Sequence, residues 1–67
     1  MRFILIETKW DETIAINTNN ITSLQVGDNT VYLYMGDNAP IATKFTDIEH
    51  AVDYLQRAPS ISLKSEQ

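Results

Sequence analysis

The apolar residues of this chain change their spacing once. Up to Phe45 they fall in short extended runs, and from Ile48 onward Ile48, Ala51, Val52 and Leu55 stand at i, i+3, i+4 and i+7. The first spacing sends alternate side chains to opposite faces of a strand, whereas the second lines one face of a helix. Strands come first and a single helix last, which predicts an α+β domain rather than alternating β–α units.

Five runs qualify as strands. Phe3 to Glu7 is apolar in both of its alternating sets, Phe3/Leu5 and Ile4/Ile6, so it asks for cover on both faces. Thr13 to Asn17 carries Ile14 and Ile16 on one face and pairs with the first run as a hairpin across Lys9-Trp10-Asp11-Glu12. Asn17-Thr18-Asn19-Asn20 marks a turn. In the next run, Ile21 to Val26, Ile21 has the opposite parity from Leu24 and Val26, which implies a bulge or a late strand start. Gly27-Asp28-Asn29 then tolerates the left-handed backbone of a tight hairpin leading into Thr30 to Met35, with Val31, Leu33 and Met35 on one face and Tyr32 and Tyr34 on the other. A second Gly-Asp-Asn, at residues 36–38, leads to Ile41 to Phe45.

The helix should run from about Asp47 to Arg57. Thr46-Asp47-Ile48-Glu49 matches a capping box, Asp53 and Arg57 are spaced for an i, i+4 pair, and Pro59 stops the helix. The expected architecture is an antiparallel five-stranded meander sheet, open or curled into a half-barrel. One C-terminal helix lies on one face, with Ile48, Val52 and Leu55 packed onto Val31, Leu33 and Phe45. Residues 1–58 form a single domain and residues 59–67 a flexible tail.

Size and charge narrow the function classes. A core drawn from 67 residues rarely supplies more than about 3 to 5 kcal/mol, and without cysteine there is neither a disulfide nor a Cys-based zinc site to reinforce it. Self-association is the reinforcement left. The net charge of −4 makes nucleic acid an unlikely partner, because phosphate backbones are held by basic surfaces. Four consecutive apolar residues before Glu7 fall short of a signal-peptide core, and no run approaches the length of a membrane span. A cytoplasmic protein is expected.

The stretch Ile14-Ala15-Ile16-Asn17, then Ile21 and Leu24, then Asn29-Thr30-Val31-Tyr32-Leu33, Gly36 and the closing helix resembles the small bacterial flagellar-associated FlbD-type proteins. Those run strand, Asn-containing turn, strand, hairpin and terminal helix, and the likeness covers about residues 1 to 55. It implies the same order of elements, and it carries no functional residue over. A weaker similarity to the β-rich DNA-binding domains of LytTR-type response regulators lacks their basic charge.

Catalytic chemistry has little to start from. The one histidine, His50, stands at the margin of the helical stripe with Asp47, Glu49 and Asp53 nearby, a pattern that a solvated helix face explains as well as a general base or a metal site does. The two Gly-Asp-Asn triplets offer hard oxygen ligands. They flank one strand and so emerge at its opposite ends, too far apart to share a calcium ion. No cofactor, metal or catalytic residue is expected. Tyr32 and Tyr34 could stack unpaired bases, but few cations stand near them, so cross-strand packing or an oligomer contact is the better use. Trp10 is either a lid on the sheet or an anchor for a partner.

The expected working surface is therefore Tyr32, Tyr34, Trp10, Phe3 and Leu5, on the sheet face opposite the helix or on an edge strand. It would serve a non-enzymatic module that forms a homodimer or binds another protein. The alternative is an acidic regulator contacting nucleic acid or a nucleic-acid-binding protein.

Overall fold

Residues 2–61 are described by a computed structural model. Strand β1 (Phe3–Glu7) pairs antiparallel with β2 (Thr13–Asn17), with Leu5 opposite Ala15. A compact turn joins them: Thr8 N–H donates to Glu12 O, Asp11 takes φ 64°, and the buried Thr8 Oγ1 accepts from the amides of Trp10 and Glu12. Aspartate is one of the few side chains that visits the left-handed region without large cost, which fits Asp11 to this position.

Asn17 to Asn20 does not make a tight return. The Asn17 side chain accepts from Asn19 N–H and caps a 3₁₀ turn (Thr18–Asn20), which moves the chain away from β2 before β3 (Ser23–Gly27) begins. The late strand start resolves the parity of Ile21. β3 and β4 (Thr30–Tyr34) are joined by Asp28 and Asn29 alone, both at positive φ (51° and 60°), which is the two-residue hairpin with a type I′ turn. β5 is shorter than its apolar run, only Ile41–Ala42. Beyond it Thr43 Oγ1 donates to Val31 O and accepts from Phe45 N–H, so the chain turns inward and Val31 N–H reaches Phe45 O.

The single five-stranded meander, open or curled, is not what forms. There are two antiparallel sheets, β1–β2 and β3–β4–β5, because β2 and β3 never pair. The sheets meet through β1 instead, where Thr8 bridges Thr43, Lys9 N–H donates to Ala42 O and Lys44 N–H donates to Glu7 O. The inward faces of both sheets share one core of Ile4, Ile6, Ile16 and Leu33, joined by Ala58, while Val31 and Ala42 are also buried.

Helix α1 (Ile48–Arg57) departs from expectation in two ways. Its N-cap is Asp47, not Thr46: Asp47 is extended, and its carboxylate accepts from His50 N–H at 3.0 Å, which also sets a negative charge against the helix dipole. Its buried stripe is turned by one position. Ala51 and Ala58 are buried and Tyr54 and Leu55 pack against the core, with Ile48 and Val52 only half-buried at its margin. Tyr54 takes the place expected for Val52 because its ring lies 5.4 Å from that of Phe45 and its hydroxyl donates to Leu5 O. Asp53 and Arg57 form the expected pair at 2.8 Å.

Ile61 N–H donates to Phe3 O, so the segment expected as a flexible tail is tied to β1 at Ile61; residues 62–67 lie outside the described part. Among the described residues, no helix is long and apolar enough to cross a membrane.

Candidate interaction surface

The hydrogen-bonding parity of the β1–β2 hairpin settles which backbone groups point outward. Thr18 N–H donates to Arg2 O and Thr8 N–H to Glu12 O, so even-numbered residues face across the hairpin and odd-numbered ones face away from it. On the β1 side every outward carbonyl has a partner: Phe3 O accepts from Ile61 N–H, Leu5 O from the Tyr54 hydroxyl, and Glu7 O from Lys44 N–H. The outward carbonyls of that edge are thus taken by three separate segments. On the β2 side, no hydrogen bond among the described residues reaches the backbone of Thr13, Ala15 or Asn17 from outside the hairpin. Thr13 and Ala15 are exposed, and Asn17 is half-buried.

The side chains of Phe3, Leu5 and Glu7 share the outer face with Thr13, Ala15 and Asn17. Leu5 is 44% exposed and stands beside Ala15, while Phe3 is half-buried. Trp10, at the hairpin tip, is 68% exposed and covers neither sheet, which removes the lid reading. Tyr32 and Tyr34 lie on the outer face of β4, paired with Gln25 and Ser23, and both are half-buried.

These residues do not make one apolar patch. From Tyr32 the register runs to Ala42, then to Lys9, Lys44 and Glu7 at the junction of the sheets, and only then to Leu5. Lys44 forms an exposed ion pair with Asp11, whose hydrogen bond and charge, helped by Glu7, raise the lysine pKa above its ordinary value. This charged strip divides Phe3, Leu5 and Trp10 from the two tyrosines. It also occupies Lys44, one of the few cations that a nucleic acid could use beside Tyr32.

The remaining clusters are modest. A shallow hollow of about 210 Å³ lies between Ile6, Glu7, Lys44, Phe45 and Tyr54, and a more open one of about 380 Å³ lies over Asn19, Thr22, Met35 and Asp37. His50 is solvent-exposed, with its Nδ1 3.1 Å from the carboxylate of Asp47 that also caps the helix. Among the described residues, no group of three or more His, Asp or Glu side chains converges as a metal site would require. No protein-family model matches the chain, and neither a curated protein nor a solved structure does.

The sequence allows an edge strand as the working surface without singling out β2, and it does not show the parts that take the outward carbonyls of β1. The first had a signal: Thr13-Ile14-Ala15-Ile16-Asn17 contains no charge and no proline, the usual protections of an edge strand. The second had none, because the partners of β1 come from residues far along the chain.

Proposed function

We propose that this chain is a non-catalytic interaction module that associates with a second copy of itself through the β1–β2 hairpin. The supporting observation is the contrast between the two sides of that hairpin. Its inner face buries Ile4, Ile6 and Ile16 and its outward β1 carbonyls are all bonded, whereas its outer face leaves Leu5 exposed, its tip presents Trp10, and its β2 edge has open backbone groups. A two-stranded ribbon is marginal alone, and covering an apolar side chain the size of leucine contributes about 1.5 to 3 kcal/mol.

Light scattering across low micromolar to submillimolar concentrations tests the reading. The expected outcome is an apparent mass that rises from one chain to two, with the rise reduced in Leu5→Glu. A protein that stays one chain in mass throughout the range overturns it.

A further inference from the structure

The exposed β2 strand is unusual in what it lacks. Natural edge strands are guarded by lysine, proline, bulges or covering segments, and β2 has none of these over its five residues. The outer edge of the other sheet, β3, is likewise free of lysine and proline and leaves Val26 exposed, with helix α1 beside it. In β1, as described above, three segments take the outward carbonyls. Of the two edges of the β1–β2 hairpin, β2 is the one left open.

We infer that β2 pairs edge to edge with β2 of a second copy about a twofold axis through Ala15, giving a four-stranded sheet in the order β1–β2–β2–β1. The inference rests on the self-association proposed above and supplies its geometry. An antiparallel strand can pair with an identical strand by a twofold rotation, and a twofold interface requires that kind of self-complementarity. The open backbone groups have the parity needed. With Ala15 opposite Ala15, its outward N–H and C=O meet their counterparts reciprocally, and Thr13 meets Asn17 on either side.

Both faces of the extended sheet also match. On the outer face, Leu5 and Ala15 of one copy continue into Ala15 and Leu5 of the other as one apolar row. Ala15 is small enough to let the strands approach. On the inner face the same register sets Ile14 opposite Ile16, so the half-buried Ile14 gains the cover that it lacks in the single chain.

Charge selects the antiparallel arrangement. Each copy is acidic, and Asp11 and Glu12 stand at one end of β2. Antiparallel pairing places them at opposite ends of the shared sheet, opposite the uncharged Thr18 and Asn19 of the other copy. A parallel arrangement would bring all four carboxylates together, and like charges directly opposite are destabilising.

Backbone amide hydrogen exchange of the intact protein, followed with concentration, tests the pairing. Ile14 and Ile16 amides already bond within the hairpin and should be slow throughout. The Ala15 amide should exchange as an open amide when dilute and slow as the protein associates, together with Thr13 and Asn17. Fast exchange at Ala15 at concentrations where scattering reports two chains overturns the edge pairing and leaves self-association standing; one chain at every concentration overturns both.

A charge pair at the axis supplies an independent readout. Ala15→Lys and Ala15→Glu each place like charges against each other at the axis and should weaken association by about fivefold. An equimolar mixture should restore it. Circular dichroism of each variant when dilute establishes that the hairpin is intact. Should either be unfolded, Ala15→Cys replaces it, and a disulfide-linked dimer under oxidation is then expected, since the chain has no other cysteine. Variants that associate as the unmodified protein does, a mixture that does not recover, or an Ala15→Cys protein that stays uncrosslinked overturns the inference.

Discussion

At the scale of single residues, the β3–β4 turn separates two kinds of glycine use. The sequence offers Gly27, Asp28 and Asn29 together as residues that tolerate left-handed backbone; Asp28 and Asn29 adopt it, and Gly27 ends β3 with an ordinary backbone. A methyl group at Gly27 would meet nothing closer than Tyr32 Cε2 at 3.9 Å, which is ordinary contact. Gly27→Ala should therefore leave the melting temperature nearly unchanged. Asn29→Val should cost about 1 to 2 kcal/mol, because a β-branched residue resists positive φ, while Asn29→Gly should equal or exceed the unmodified stability. Denaturant titration of the three variants checks the ordering, and a Gly27→Ala more damaging than Asn29→Val would contradict it. The turn residues were legible because their chemistry is local; which of the three takes positive φ depends on strand register.

At the scale of elements, the helix shows what a periodic pattern can and cannot give. Its existence, its limits near Asp47 and Arg57, and its Asp53–Arg57 pair all follow from spacing within a few turns. Its rotation does not. Ile48, Ala51, Val52 and Leu55 look like the buried stripe on a wheel, yet the partner groups, Phe45 and the carbonyl of Leu5, draw Tyr54 inward and leave Val52 at the margin. Leu55→Ala should accordingly cost about 2 to 5 kcal/mol, which is enough to unfold a domain with so small a core, and Val52→Ala should cost clearly less. Equal losses in thermal unfolding would place the stripe where periodicity alone put it. The strands divide in the same way. Each run of alternating residues formed a strand or part of one, but the sheets join where Thr8, just after β1, bridges Thr43, just after β5, a contact across more than thirty residues that no local spacing encodes.

At the scale of the whole molecule, charge and topology act together. With a net charge of −4, two copies repel at long range, so added salt should tighten self-association, whereas binding to a basic partner would weaken as salt rises. Sedimentation at low and high ionic strength distinguishes the two. The surface residues expected from sequence were read as one patch, because alternation assigns faces but not the order of strands across them. That order puts Lys9, Lys44 and Glu7 between Leu5 and Tyr32. The closure of the β1 edge has a further consequence, in time rather than in space. Besides the Tyr54 hydroxyl on Leu5 O, the Arg2 guanidinium donates to Leu55 O at 2.8 Å and to Ala58 O, bonds that span 49 to 56 residues of chain. During synthesis β1 and β2 emerge close together and Lys44 follows, but Tyr54, Leu55, Ala58 and Ile61, which take Leu5 O, the Arg2 guanidinium and Phe3 O, come only with the later part of the helix and the residues after it. Until then most of the β1 edge stays open, so the hairpin is secured by residues made well after it rather than by its own neighbours.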